Sequence, residues 1–289
     1  MDKVQAAIKR IQYAAELAKG ADRGRLVCAY SGGKDSDVLL ELMLRSGVNF
    51  EISHSHTTAD APQTVYHTRE VLARMEGLGV PVYVHYPIYK KQRISLWQLI
   101  PEKGMPMTRI QRYCCTALKR QGKGRAVELT GVRWDESTRR KKTRGFFETY
   151  TSNIDNKLVM QNDTDENRNS FSIAAQRYKP IVNPIVDFTN EELWDFIESE
   201  HICMNPLYKM GFTRCGCIGC PMGGKKRWFE FEMFPKFEQM YRRSFAKMLE
   251  LRKIRRPDAP TNWKTADDVF DWWMEGPRPA HMPLPGEVL

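Results

Sequence analysis

The chain has no apolar run near the ~20 residues that a membrane-crossing helix needs and no apolar core of a secretory leader. Its first residues, Met1-Asp2-Lys3-Val4-Gln5, instead open a charged amphipathic helix with Val4, Ile8, Ile11 and Leu17 on one face. No membrane partner is expected, and the expected location is the cytoplasm. Acid is scarce beside base: 35 Asp and Glu against 45 Lys and Arg in 289 residues leave a formal charge of +10, with a pI near 9.2. That balance suits a polyanionic partner, but it does not separate nucleic acid from a small nucleotide, or either from a basic surface that only aids solubility. No internal repeat and no long linker is legible. A hydrophobic share of 42% and a mean hydropathy of −0.54 describe a soluble protein long enough to bury a full core, as one large domain or a domain with an appendage. Without a secretory leader, the seven cysteines point to metal or thiol chemistry and away from a disulfide framework.

Among what is present, Tyr30-Ser31-Gly32-Gly33-Lys34-Asp35-Ser36-Asp37 is the most telling stretch. It follows the apolar run Leu26–Ala29 and precedes a helical pattern carrying Val38, Leu39, Leu40, Leu42, Met43 and Leu44. A strand, a glycine turn and a helix N-terminus in that order make an anion cradle, because the first helical amides and the positive end of the dipole face the turn. Gly32 and Gly33 allow the close backbone approach that a Cβ would block. Ser31 and Ser36 bring hydroxyls, Lys34 a cation, and Asp35 or Asp37 a carboxylate for a Mg2+ ion. The spacing Gly-x-x-x-x-Gly-Lys-Ser/Thr is absent, so this is not a Walker loop.

Strand-like runs alternate with helical patterns: Leu26–Tyr30, Phe50–His54, a helix over Thr64–Met75, then Val82–Tyr86 and Ala126–Thr130. Such alternation predicts an α/β domain with a mostly parallel twisted sheet and flanking helices, and places Ser31–Ser36 at the carboxyl end of a strand, where ligands bind. From about 140 to 180 the pattern weakens into a basic run, Arg139–Arg144, and an Asn- and Asp-rich stretch, read as an insertion or mobile loop over the site. Thr189 with Glu192 marks a helix start. Trp228–Arg252 reads as a long aromatic-rich helix interrupted at Pro235. The expected division is a nucleotide-binding domain over 1–222 and a helical C-terminal appendage over 223–289.

Five cysteines fall in two groups, Arg112-Tyr113-Cys114-Cys115 and Cys215-Gly216-Cys217-Ile218-Gly219-Cys220. Cys-x-x-Cys can chelate from one turn, and a second pair completes four thiolates. Neighbouring side chains diverge, which suits a cluster with several irons better than one zinc ion, although zinc remains the competing occupant.

The loop at Ser31–Ser36 resembles the PP-loop, the Ser-Gly-Gly-x-Asp-Ser signature of ATP pyrophosphatases and sulfonucleotide reductases. Further motifs follow in order: His56–Thr64, Gly131-Val132-Arg133-Trp134-Asp135-Glu136-Ser137-Thr138-Arg139, Asn183–Thr189, Asn205-Pro206-Leu207-Tyr208, and Gly216–Cys220. Together, over about residues 24–222, they resemble the phosphoadenylyl-sulfate reductase family in its broad sense, which includes adenylyl-sulfate reductases and DNA phosphorothioation ATPases. In the His56–Thr64 segment the family's leading acid is missing. The resemblance implies an adenine nucleotide α-hydrolase-like fold. It also implies a site for ATP or a sulfated adenine nucleotide built from Tyr30, Ser31, Gly32, Gly33, Lys34, Asp35, Ser36, Thr58, Asp60, Gly131, Arg133 and Arg139. Lys34 and Asp35 would be the catalytic pair, Asp35 holding Mg2+. Carried over by position, Cys114, Cys115, Cys217 and Cys220 would hold a 4Fe–4S cluster, with Cys215 spare and Lys119 at a basic position of the family.

Two reactions share such a scaffold. A reductase needs a nucleophilic cysteine, which the family carries in a C-terminal Glu-Cys-Gly-Leu-His tail, whereas the last cysteine here is Cys220. Cys28 is expected to be buried and inert, and Cys203 has no activating feature. The expected activity is therefore ATP cleavage to AMP and pyrophosphate, activating an acceptor for sulfur transfer. A nucleic acid is the expected acceptor, with a cysteine desulfurase or another sulfur donor as partner. Sulfonucleotide reduction is the alternative, and a non-catalytic nucleotide-binding subunit a further one. His54 and His56 are expected near the pocket as satisfied, noncatalytic histidines, and Trp263, Trp272 and Trp273 as core residues of the appendage rather than a base-stacking surface.

Overall fold

In a computed structural model the protein is described over residues 2–20, 24–119, 126–151, 157–258 and 260–275. The chain divides into two compact units, Met1–His54 with Tyr66–Val84 and Lys123–Asn205, and Ser55–Val65 with His85–Gly122 and Pro206–Leu289.

The first unit is organised by a seven-stranded sheet in the order β3-β2-β1-β6-β9-β7-β8. Its strands are β1 (Leu26–Tyr30), β2 (Glu51–Ser55), β3 (Val82–His85), β6 (Val127–Leu129), β7 (Phe147–Tyr150), β8 (Val159–Met160) and β9 (Lys179–Val182). β1 runs parallel to both β2 and β6, and β6 parallel to β9. The expected parallel α/β sheet is thus present. Its core joins α1 (Lys3–Gly20) and α2 (Lys34–Arg45) to the strands through Ile11, Leu39, Leu42, Met43, Ile52, Val127 and Leu129. The chain leaves β1 through α2 to β2 on one side and later returns to β6 on the other, so the strand order reverses at β1. A parallel sheet opens a crevice at the carboxyl ends of the strands at such a reversal. The Ser31–Ser36 loop sits at that point.

The stretch from about 140 to 180, expected as an insertion or mobile loop, carries regular elements among its described residues. After α6 (Thr138–Thr143), β7 pairs antiparallel with both β9 and β8, and α7 (Asp165–Arg177) follows. The reason is a small set of buried aromatics within polar sequence. Phe147 and Phe171 are fully buried with ring centroids 5.2 Å apart, and Tyr13 of α1 meets Phe147 edge-on at 5.4 Å. Thr164 caps α7 by accepting from the Asn167 amide, and Asp165 and Glu166 complement its dipole.

In the second unit, α4 (Leu96–Lys103), α9 (Arg227–Met233), α10 (Pro235–Arg255) and α11 (Ala266–Met274) enclose an aromatic core of Phe231, Tyr241, Phe245, Phe270 and Trp273. The break between α9 and α10 falls at Pro235, which cannot donate to the preceding turn. Trp273 is core, and its indole donates to the Met107 carbonyl at 2.8 Å. Trp272 is 46% exposed and packs on Trp263. Among the described residues no helix is long and apolar enough to cross a membrane.

Phe171→Ala removes the aromatic that seats α7 on β7 and is expected to cost about 3–5 kcal/mol. Chemical denaturation followed by circular dichroism measures this. A loss near zero would return residues 140–180 to the status of a loop.

Candidate functional site

The loop in the first unit is held by its own side chains. Gly32 takes φ +75°, and its carbonyl accepts 2.7 Å from Nδ2 of the fully buried Asn205. Ser36 Oγ is the hub: it accepts from the Ser31 and Gly33 amides at 3.3 and 3.2 Å and from Ser31 Oγ at 3.2 Å, while donating to the Gly33 carbonyl at 2.7 Å. The turn is therefore shaped before any ligand arrives. Below it, Tyr30 OH donates to Asp37 Oδ1 at 2.6 Å, and His67 Nε2 lies 3.2 Å from both Asp37 oxygens. All three are buried. Burial first, and then the Asp37 charge, raise the Tyr30 hydroxyl pKa far above its ordinary value, so it stays a donor. Asp37 belongs to this support and does not line the loop's mouth.

The electrostatic centre is Asp35. Arg133 Nε donates to Asp35 Oδ1 at 2.5 Å, and Lys34 Nζ donates to Oδ2 at 3.0 Å. Arg133 is 1% exposed and Lys34 7%. The same guanidinium donates to the Phe188 carbonyl at 3.2 Å and to Asn190 Oδ1 at 3.4 Å. Gly131 explains the close meeting of β6 with the loop: a Cβ there would stand 2.6 Å from the Asp35 carbonyl oxygen, so only glycine fits. The structure thus brings Tyr30, Ser31, Gly32, Gly33, Lys34, Asp35, Ser36, Gly131 and Arg133 together. Arg139 lies exposed on α6. His54, whose Nδ1 meets the Tyr30 carbonyl at 3.1 Å, is buried and satisfied. Cys28 is buried in β1 and Cys203 is exposed.

Thr58 and Asp60 belong to the second unit, with the cysteines. Thr58, at φ +66°, accepts from the Leu96 amide at 2.8 Å and so anchors α4. Asp60 bridges in antiparallel fashion to Cys217, and Asp60 Oδ2 accepts 2.6 Å from Thr57 Oγ1, which in turn accepts from Cys217 Sγ at 3.3 Å. Cys114 and Cys115 open α5 (Tyr113–Lys119). Together with Cys217 and Cys220 they are half-buried free thiols. Each of Cys115, Cys217 and Cys220 raises the Cys114 thiol, the Cys115 hydrogen bond first. The hydrogen bond from Cys114, then that from Arg112 Nη2 at 3.4 Å and the charges of Arg112 and Lys119, lower Cys115 to about 5 against its burial. Burial pushes Cys217 up to about 11. Lys119 is held protonated above the ordinary lysine range, the Cys217 charge first. Burial opposes protonation of Arg214, but the Cys220 and Glu230 charges outweigh it.

These residues fit an iron–sulfur cluster in the chemistry of the donor set: four thiols that feel one another, ringed by Arg112, Lys119 and Arg214. As they stand, the side chains bond to their neighbours, and among the described residues no group of three or more His, Cys, Asp or Glu is set to hold a metal ion. Sequence reading missed Arg112, Arg214, His67 and Asn205 as supports. Asn205 lay inside the motif Asn205–Tyr208 and Arg112 beside the Cys114-Cys115 pair, whereas Arg214 and His67 carried no signal. Cys215 packs with the apolar cluster of its unit.

A mostly parallel sheet with a preshaped glycine loop at its strand reversal, tight against the end of β6, defines an α/β protein with a candidate anion site at the strand ends. Comparison with known proteins carries this further. Residues 25–222 match the phosphoadenosine phosphosulfate reductase domain, and the chain belongs to that family. It is 23% identical over 226 residues to the adenosine 5′-phosphosulfate reductase of Oceanobacillus iheyensis, covering 76% of this chain and 79% of the relative. It is also similar to the phosphoadenylyl-sulfate reductase of Candida auris in its phosphate complex (15% identity, 71% of this chain and 87% of that one, TM-score 0.46). A further similar structure is the U34-tRNA thiolase NcsA of Methanococcus maripaludis with its 4Fe–4S cluster (11% identity, 90% and 83%, TM-score 0.45). The family is one of nucleotide-using enzymes of sulfur chemistry.

The ordinary cysteine pKa is about 8.5, so a thiol lowered to about 5 is charged through the neutral range. In metal-free protein, iodoacetamide should label Cys115 at about pH 6 nearly as fast as at about pH 8, with the rate falling as pH drops through the lowered value. The sign for stability is the same: the contribution is full above the ordinary thiol range and lost as pH falls through about 5. Labelling of Cys115 only in alkali, read by peptide mass spectrometry, would contradict this reading.

Proposed function

We propose that the protein is a PP-loop ATP pyrophosphatase that cleaves ATP to AMP and pyrophosphate to activate an acceptor for sulfur transfer. One observation carries this reading: two buried cations, Lys34 and Arg133, converge on the Asp35 carboxylate at the mouth of a preshaped anion loop. With no ligand bound, both pair with Asp35, and Arg133 also lies 3.9 Å from Asp135. A triphosphate entering the loop offers a stronger anion, and both side chains can turn to it while the loop amides remain in place. The acceptor oxygen then attacks the α-phosphorus, and the bond to the bridging oxygen breaks. Pyrophosphate leaves with its charge stabilised by Lys34 and Arg133. Mg2+ arriving on the nucleotide would take an Asp35 oxygen released by the cations. Sulfur from the donor, for which a cysteine desulfurase is the expected source, displaces AMP from the adenylated acceptor.

Cys114, Cys115, Cys217 and Cys220 would hold the 4Fe–4S cluster, which when bound supplies negative charge and redox capacity. Arg112, Lys119 and Arg214 balance that charge, and zinc on the same thiols is the competing occupant. Thr58, Asp60 and Arg139 remain proposed nucleotide contacts by family position.

The curated relative's name favours a second reading, reduction of adenylyl sulfate. A cysteine thiolate would attack the sulfur, AMP would leave, and an external thiol would release sulfite from the resulting thiosulfonate. Outside the proposed cluster, Cys28 is buried, Cys215 packs against the apolar cluster of its unit and Cys203 is exposed.

With ATP and Mg2+, anaerobically purified protein should form AMP and pyrophosphate, water taking the place of the acceptor oxygen, and Lys34→Ala should lower kcat/KM by about a hundredfold or more. Iron and sulfide near four each per chain are expected, with zinc in their place assigning the alternative occupant. Sulfite from adenylyl sulfate and a thiol, without AMP from ATP, would replace this proposal by the reductase. Tight ATP binding with neither product would leave a binding subunit.

A further inference from the structure

The second unit carries a groove of about 750 Å³ with walls formed by a hairpin, α4 and α10. The hairpin pairs β4 (Ile88–Tyr89) with β5 (Gln92–Arg93), Tyr89 opposite Gln92. Along α10 one stripe faces the groove, with Arg243, Lys247 and Arg255 among its residues. Lys90 and Arg93 from the hairpin bring its lining cations to five, against one carboxylate, Glu102. Glu102 is already shared by Lys90 at 3.2 Å and Arg255 at 3.0 Å. Among the described residues no carboxylate pairs with Arg93, Arg243 or Lys247.

The hairpin tip is strained in a telling way. Lys90 and Lys91 have φ +50° and +66°, the left-handed pair of a two-residue hairpin turn that ordinarily takes Asn-Gly. Of the two lysines Lys90 lines the groove, and residues kept in such conformations cluster at sites that bind. Within the groove lie two aromatics. Tyr89 is half-buried, and Trp97 is fixed edge-on against Tyr241 at 5.0 Å and Phe237 at 6.0 Å.

We propose that this groove binds a single-stranded nucleic acid, with phosphates on the cations and bases against Tyr89 and Trp97. From Arg243 to Arg255 the cations span about 18 Å at the helical rise, longer than the phosphates of one nucleotide. Only unstacked bases can use Tyr89 and Trp97, and a single strand offers them where a duplex does not. The aromatics give bases a stacking surface, for which an acidic peptide has no use. This site stands apart from the reaction assigned above, since a strand binds here whether the loop cleaves ATP, reduces a sulfonucleotide or does neither.

Fluorescence anisotropy with a labelled oligothymidylate of about 12 nucleotides tests it on the full chain. Binding should weaken steeply with salt, and Arg243→Gln with Lys247→Gln should weaken it about tenfold or more. The paired change Lys90→Asn and Lys91→Gly separates function from folding. It relieves the turn, so the melting temperature should hold or rise, while affinity falls about fivefold and the salt slope shallows by about one. Absence of binding by the parent, parent-like affinity in both variants, or equal competition by polyglutamate or by duplex DNA would overturn the proposal.

Discussion

Burying a lysine and an arginine side by side is expensive, because each cation loses water worth several kcal/mol even after the protein relaxes. Lys34 and Arg133 are both nearly inaccessible, and Asp35 is the carboxylate that both reach, with Asp135 also 3.9 Å from Arg133. Much around the loop is arranged to hold that carboxylate in place. Gly131 lets the end of β6 approach the Asp35 backbone, Ser36 ties the turn to itself, and Asn205 fixes the Gly32 carbonyl. Beneath them the Tyr30–Asp37–His67 group joins the end of β1, the first turn of α2 and α3 (Pro62–Gly77). A preshaped loop loses little conformational freedom on binding, so more of the phosphate attraction remains for affinity and catalysis.

The second unit solves the inverse problem. There the group to be compensated is the Cys115 thiol, which the nearby Arg112 and Lys119 charges favour in its anionic form. Cys114 and Cys115 share a hydrogen bond that raises the one thiol and lowers the other, so the adjacent pair resists carrying two charges. Both units therefore balance buried charge before a cofactor or substrate enters. In the proposed reaction, nucleotide phosphates take over the role of Asp35, and a cluster would take over the protons of the thiols.

Much of this was legible in the sequence because it is local. The apolar run before Ser31, the glycines and the helical pattern after Ser36 announce the loop, Thr189 with Glu192 forms the capping box of α8 (Asn190–Ser199), and Pro235 breaks the long helix. What escaped depends on partners far apart in the chain. Phe147 and Phe171 lie in polar surroundings, so neither reveals that β7 and α7 pack together. Arg133 and Arg139 are chemically alike and six positions apart, and only burial separates them. Asp37 reads as a metal ligand until His67, thirty residues on, is seen to hold it. The Lys90-Lys91 turn lacks the Asn-Gly that ordinarily signals a two-residue hairpin.

The central claim is that Asp35 holds Lys34 and Arg133 in trust for phosphate. Titration calorimetry of pyrophosphate into metal-free protein tests it most directly, comparing the parent with Asp35→Asn. Removing the resident charge while keeping the shape should free both cations and tighten pyrophosphate binding by about tenfold. Unchanged or weaker binding in the variant would mean that Asp35 does not compete with phosphate for these cations, and would contradict the account.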